Sequence, residues 1–230
     1  MPKRTPAVMI FAAGFGTRMK HLTRSQPKPL IEVAGTPLID HALTLVEACD
    51  PPRIIVNLHY LPDLLEAHLA DRSVTTLREE AQILDTGGGL RHALPALQSD
   101  PVITVNSDAV WAGPNPLRLL MDAWTPTRMD ALLICVPTGQ THGRIGSGDF
   151  QIQADGQLQR GGDVVYGGVQ IMKTDILHDV SETAFSLNVV WNMMARRGRL
   201  HGLAYPGHWA DVGHPEGISI AEDMLKRHHV

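Results

Sequence analysis

The sequence predicts a single α/β domain spanning residues 1–230, built on a doubly wound, mostly parallel sheet. Three observations predict it. Short continuous apolar runs alternate with helical stretches from the N-terminus onward, as strands covered on both faces require. Repeated strand–helix units of this kind pack in layers with right-handed crossovers. The first apolar run ends at once in Gly14 and Gly16, and the loops following the strands of such a sheet line up along one edge, where ligands bind.

The elements follow in order. Ala7–Ala13 is the first strand. Pro37–Ala48 has helical apolar spacing at Leu38, Ala42, Leu45 and Val46, with Thr36 as N-cap and Pro37 in the first turn. Arg53–Leu58 is a β-branched strand, Pro62–Ala70 a short helix and Val74–Arg78 a strand. A helix starts near Thr86, at three consecutive glycines. Val102–Val105, Pro116–Trp124 and Ala131–Val136 continue as strand, helix and strand. After about residue 140 the chain looks less regular, rich in glycine and polar residues, and is expected to cover the mouth of the site up to about 212. Phe150–Gln153 and Leu158–Arg160 flank Asp155-Gly156, a hairpin signal. Val164–Met172 is a strand, Ala184–Arg197 a helix and Ser219–His228 the closing helix. No internal repeat or linker interrupts this order.

Composition narrows the function. The formal net charge is −4 and the hydrophobic fraction 43%. That balance does not call for a nucleic-acid partner, although Lys3, Arg4, Arg18, Lys20, Arg24 and Lys28 gather near the N-terminus. Cys49 and Cys135 sit in apolar contexts and read as buried thiols. No stretch reaches the ~18–20 apolar residues of a membrane span, and the run after Met1–Pro6 is too short for a signal peptide. A cytoplasmic monomer or small homo-oligomer is expected. The terminal His228-His229 reads as a frayed end.

One segment carries chemistry. Ala12-Ala13-Gly14-Phe15-Gly16-Thr17-Arg18-Met19 is followed by Leu22-Thr23 and Pro27-Lys28-Pro29-Leu30. Glycines just after a strand let backbone N–H groups approach phosphate oxygens. Arg18 offers a planar fork for phosphate and Lys28 a point charge between two prolines. A dinucleotide fingerprint would need glycine where Met19 stands, and a Walker loop would need Gly-Lys-Ser/Thr. Asp108 lies just past the Val102–Val105 strand, where a carboxylate can hold Mg²⁺. His208, Asp211 and His214 do not have a common zinc spacing.

The segment from Phe11 to Leu30 resembles the opening motif of the sugar-1-phosphate nucleotidyltransferases. Asp85-Thr86-Gly87-Gly88-Gly89, Asn106-Ser107-Asp108 and Trp209-Ala210-Asp211-Val212-Gly213 resemble later segments of the same family, and the likeness runs from Val8 to about Glu222. It implies a Rossmann-like nucleotidyltransferase fold of the short bacterial type, without an added β-helix domain. It also implies a reaction between a nucleoside triphosphate and a sugar 1-phosphate that releases pyrophosphate. UTP and N-acetylmuramate 1-phosphate are the first implied pair. Guanylyl or uridylyl transfer to mannose or glucose 1-phosphate is the alternative, and a non-catalytic nucleotide-sugar sensor a further one.

The resemblance gives roles to positions. Arg18 and Lys28 act on the phosphates, and Asp108 and Asp211 share Mg²⁺. Ala12, Ala13, Gly14, Gly16 and Thr17 line the nucleotide, with Glu80 and Gly88 at base and ribose. Asp85, Asn106, Tyr166 and Gly168 face the sugar. Asp85 is one methylene shorter than the glutamate usual in the family, and no glutamate near Tyr166 offers itself to the sugar hydroxyls.

Overall fold

The computed structural model describes residues 5–228, so Lys3, Arg4 and His229 lie outside it. The first strand, β1 (Val8–Phe11), leads through a 3₁₀ segment at Thr17–Thr23 to a small ribbon, β2 (Glu32–Val33) with β3 (Thr36–Pro37). Then come α1 (Leu38–Glu47), β4 (Ile54–Leu58), α2 (Pro62–Leu69), β5 (Thr75–Arg78) and α3 (Asp85–Leu97). They are followed by β6 (Val102–Asn106), β7 (Ala109–Ala112), α4 (Pro116–Ala123), β8 (Ala131–Pro137) and β9 (Thr141–His142). The last part holds β10 (Gly148–Ile152), β11 (Leu158–Gly162), β12 (Val164–Met172), α5 (Leu187–Arg196), β13 (Leu200–Ala204), β14 (His208–Asp211) and α6 (Glu216–Arg227).

Nine strands form one sheet, in the order β11-β10-β12-β6-β1-β4-β5, with β8 added to β12 and β13 to β8. The β6-β1-β4-β5 half is parallel, and so is the β8–β13 pair. β12 runs antiparallel between β6 and β8 and joins the two parallel parts. Along β1, Val8 and Ile10 belong to one buried cluster with α1, while Met9 belongs to another with α3 and α5. A strand buried on both faces needs the uninterrupted apolar run its sequence shows.

Three features differ from the sequence expectation. Thr36 and Pro37 are not cap and first turn: Val33 pairs with Thr36 and Glu32 with Pro37, so their backbone belongs to the ribbon and α1 starts at Leu38. The stretch from about 140 to 212 holds β10 to β14 and α5. A second sheet, β7-β14-β9, packs against α6 through Val110, Ala210 and Met224. Its strands are only two to four residues long, too short to show a period of two. Both cysteines are buried and free, and the Asp155-Gly156 hairpin forms, with Phe150 opposite Arg160. No helix among the described residues is long and apolar enough to cross a membrane.

The far edge of the β8–β12–β13 layer is tied by Asp130. Its Oδ1 accepts from Lys173 Nζ at 2.9 Å and Arg199 Nη2 at 3.0 Å. Burial opposes the charge, but hydrogen bonds from Arg199 and Lys173 outweigh it and hold the carboxyl below its usual range. A carboxylate with a depressed folded pKa stabilises above its unfolded value, and the contribution vanishes as pH falls through the folded one. Asp130→Asn is therefore expected to cost about 1–3 kcal/mol at neutral pH, the range for hydrogen bonds to a charged group. The deficit should shrink below about pH 4, as the carboxyl becomes protonated. Urea unfolding of both proteins across pH reads this, and a pH-independent difference would show that the ion pairs contribute nothing.

Candidate functional site

The site starts where β1 ends. Ala12 N donates to the buried Asn57 Oδ1 at 2.9 Å, which ties the loop to β4. Gly16 then turns the chain with φ +63°, a conformation that costs any other L-residue energy. A Cβ there would lie 2.9 Å from Lys28 Cβ. The missing side chain thus lets Lys28 pass under the loop, and Thr23 Oγ1 closes the turn on Gly16 O at 3.1 Å. Arg18 projects from the 3₁₀ segment, exposed, with no hydrogen-bond or ion-pair partner among the described residues.

Lys28 reaches across to β6. Its Nζ lies 2.8 Å from Asp108 Oδ2, with only 11% of the lysine side chain and 33% of the aspartate side chain exposed. Asp108 stands at the turn between β6 and β7, and Ser107 before it donates to Phe11 O at 2.6 Å, which locks that turn to the end of β1. Asp211 comes from β14, where it pairs with Ala109 of β7, and Val212 N donates to Asp108 O at 3.0 Å. The short second sheet is thus what brings two acids about a hundred residues apart in sequence to one place. A Cβ built on Gly213 would lie 3.1 Å from both Arg18 Nη1 and the Asp211 carboxylate oxygens, so the arginine and this second acid flank the same glycine.

The two acids differ in ionisation. Burial works against the Asp108 charge, but Lys28, by attraction and by hydrogen bond, and Arg18 hold its carboxyl below the usual range. Burial and the neighbouring Asp108 charge push Asp211 up, against the pull of Lys28, Arg18 and Arg144. Two facing carboxylates in a partly buried cleft, one of them disfavoured as an anion, are a donor set suited to a hard divalent cation.

Two cavities meet here. One, of about 300 Å³, runs along the β1 loop and includes Ala12, Ala13, Gly14, Gly16, Thr17 and Lys28. The other, of about 330 Å³, extends toward β10, β11 and α5 and includes Tyr166, Gly168 and Asp211. Arg18, Asp85, Thr86, Asn106 and Asp108 belong to both. Asp85 starts α3 with φ +59°, and its Oδ1 accepts from Thr86 N at 2.5 Å. Tyr166 and Gly168 lie where the β12–β8 register shifts, so the glycine-rich bend and the cavity wall are one feature.

Two expected positions lie elsewhere. Glu80 is exposed and outside both cavities, whereas Glu79 is buried and lines the first. Glu79 accepts from Asn57 Nδ2 and from Leu84 N, each at 2.7 Å. Strand alternation at the end of β5 turns Glu79 inward and its neighbour out. Gly88 lines neither cavity: a Cβ on it would collide with Thr183 O, so it serves close packing of α3 on the segment before α5. His208 and His214 do not join Asp211. His214 bonds Gly143 O at 2.8 Å, while His208 contacts His142 at 3.2 Å and stacks on His228 with centroids 3.9 Å apart. His228 itself is exposed, just past the end of α6.

Several cavity residues lie outside the motifs of the sequence. Asn57 interrupts the apolar run of β4 just where a polar group is useful, and that interruption could have marked it. Arg144, Asp149 and Arg160 line the second cavity from segments whose composition resembles surface hairpin.

Comparison with known proteins adds to this geometry. The family profile described as a MobA-like NTP transferase domain matches residues 8–146. The chain is 39% identical to an N-acetylmuramate alpha-1-phosphate uridylyltransferase of Caulobacter vibrioides, over 98% of this chain and 99% of that one. It is 30% identical to the protein of the same name from Neisseria meningitidis serogroup B, over 89% and 92%. Among solved structures, HddC from Yersinia pseudotuberculosis complexed with GMP-PN shares the fold with a TM-score of 0.75 at 20% identity, covering 95% of this chain and 98% of that one.

The glycines of the loop are expected to behave differently. Gly16→Ala combines a positive φ with a clash at Lys28 and should destabilise folding by about 1–3 kcal/mol. Gly14→Ala, with nothing within 4 Å of its added Cβ, should change stability by no more than about 0.5 kcal/mol, as surface substitutions do. Denaturant midpoints of the two variants decide, and equal costs would refute the role given to Gly16.

Proposed function

The chain belongs to the family of MobA-like NTP transferase domains and is a nucleotidyltransferase, and we propose that it joins UTP to N-acetylmuramate 1-phosphate, releasing pyrophosphate. One observation carries this reading: Arg18, Lys28, Asp108 and Asp211 share one cleft between two cavities. The first cavity suits a nucleoside triphosphate, with backbone of the β1 loop along its phosphates. The second suits a sugar. The names of the two relatives described above supply the pair of substrates.

The reaction is an in-line displacement. An oxygen of the sugar phosphate attacks the α-phosphorus, a new P–O bond forms, and the bond to the bridging oxygen breaks. The electron pair leaves with pyrophosphate. The attacking phosphate is already ionised, so no protein base or nucleophile is needed, and positioning and charge neutralisation suffice. Arg18, with no hydrogen bond or ion pair among the described residues, is available to the β- and γ-phosphates and to the charge that builds on the leaving group. Lys28 rests on Asp108 until phosphate oxygens arrive and then neutralises them at the α-phosphate. Asp108 and Asp211 would hold a magnesium ion, which supplies further charge neutralisation on the phosphate oxygens. Ser107 and the β7–β14 pairing keep the acids from moving as substrates bind.

Such substrates are soluble and intracellular, which fits a cytoplasmic enzyme of peptidoglycan recycling acting as a monomer or small homo-oligomer. Pyrophosphate release from four nucleoside triphosphates against muramate, glucosamine, glucose and mannose 1-phosphates tests the pairing. Turnover only with GTP and mannose 1-phosphate would replace it with the guanylyl alternative, and nucleotide-sugar binding without turnover would leave a sensor. Asp108→Asn and Asp211→Asn are each expected to lower kcat at least about 100-fold at saturating magnesium, the size of losing a key electrostatic group. Near-normal turnover in either variant would remove that residue from the mechanism.

A further inference from the structure

The sugar-side cavity holds a cation that the transfer step does not use. Arg160 stands on β11, and its guanidinium lies over the Phe150 ring, 4.6 Å from the centroid, and 5.8 Å from that of Trp191. Its Nε and Nη2 donate to Asn192 Oδ1 at 3.1 and 3.0 Å. The platform beneath it is also fixed. Trp191 Nε1 donates to the buried Gln170 Oε1 at 2.8 Å, and Gln170 Nε2 donates to Thr104 Oγ1 at 3.1 Å. Aromatic stacking and two hydrogen bonds to one oxygen hold the guanidinium in place while leaving Nη1 without a hydrogen-bond partner among the described residues.

Charge on this wall is unbalanced. Arg144 pairs with Asp149 at 2.5 Å, and Asp149 Oδ2 also accepts from Tyr166 N at 3.0 Å. Asp149 is thereby occupied, and Arg160 has no carboxylate within ion-pair distance among the described residues. Arg144 Nε is buried without a hydrogen-bond partner. Asp108 and Asp211 stand at the transfer point, where Lys28 and Arg18 face them. Two guanidiniums with Asp149 beside both therefore line this part of the cavity, and Arg144 also acts on Asp211.

We propose that Arg160, with Arg144 behind it, receives a carboxylate carried by the sugar, so that the acceptor is an acidic sugar 1-phosphate and not a neutral one. This rests on the function proposed above and names the residues that would read the charge of its acceptor. Muramate meets the requirement because its lactyl ether ends in a carboxylate, which glucosamine, glucose and mannose lack. Phe150 and Trp191 make the wall partly apolar, so the ion pair forms beside low-dielectric material and gains strength over one in open water.

The test compares three substrates with UTP and magnesium by pyrophosphate release: N-acetylmuramate 1-phosphate, its lactyl carboxamide, and N-acetylglucosamine 1-phosphate. The carboxamide keeps size and removes charge. The expected ratio of kcat/KM, acid over amide, is about 10- to 100-fold in the wild type, the range of a charge-assisted hydrogen-bonded contact. Arg160→Gln should bring that ratio within about threefold of unity, and Arg160→Lys, which keeps charge but loses the fork, should fall between. A wild-type ratio near unity, or an unchanged ratio in the variants, overturns the subsite while leaving the reaction standing. A purely structural clamp between β11 and α5 would lower all three substrates together and leave the ratio unmoved. Should Arg160→Gln fail to fold, the wild-type and Arg160→Lys ratios decide. Absence of pyrophosphate release from every sugar phosphate in the wild type is a different failure, that of the reaction itself, and takes the subsite with it.

Discussion

The contact between Lys28 and Asp108 is the constraint on which the rest of the site depends. It joins the loop after β1 to the turn after β6, and it offsets the cost of keeping a partly buried carboxylate ionised beside another acid. Remove the lysine and two facing carboxylates would remain, with Arg18 and Arg144 as their nearest cations, and the like charges would favour protonation of one of them. The loop geometry serves this contact. Gly16 leaves room for Lys28 to pass, and Thr23 closes the turn on the Gly16 carbonyl. Pro27 and Pro29 on either side limit the backbone conformations Lys28 can sample.

Asp211 obeys a different logic. It reaches the site through a sheet of only three short strands, whose pairing with β7 sets it beside Asp108. Such short strands are marginal by themselves. They persist because α6 and the 3₁₀ segment after β1 cover them, with Met19, Val110, Val212 and Met224 in one buried cluster. The closing helix therefore acts on the chemistry from a distance, since its packing fixes the strand that carries the second acid.

Much of this was legible in the sequence, and the limits have physical causes. The parallel half of the sheet could be read because strands buried on both faces leave long apolar runs. The loop could be read because phosphate chemistry needs glycines and cations at close spacing. Glycine function could not be divided by type alone: Gly16 serves a cation's approach, while Gly88 serves packing against Thr183, and only tertiary contacts separate them. Glu79 and Glu80 are adjacent and chemically alike, so which of them lines the cavity depends on which face of the chain turns inward after β5. Thr36 and Pro37 looked like a helix start because capping rules are local, whereas the pairing with Glu32 and Val33 that claimed them is not. Arg144, Asp149 and Arg160 were hidden because polar residues near hairpin turns are ordinarily solvated.

The two parts of the site draw on different parts of the chain. Residues 8–146, the span of the shared family profile, supply Arg18, Lys28 and Asp108, the groups that the proposed mechanism sets against a triphosphate. The hairpin of β10 and β11, the irregular segment of β12 and the start of α5 supply most of the second cavity, and all of these follow residue 146. Transfer of a nucleotidyl group places the same demands on any member: cations at the phosphates and acids for a divalent ion. The acceptor places demands that vary with its shape and charge. An arrangement that keeps these requirements on separate segments lets the sugar wall change its charge without disturbing Lys28 on Asp108. Asp211 and Arg144 are exceptions: under the proposed mechanism Asp211 comes from the late part of the chain yet serves the phosphates, and Arg144 falls within residues 8–146 yet lines the second cavity. The strand of Asp211 is held by β7, β9 and α6, so it is anchored apart from the hairpin of β10 and β11.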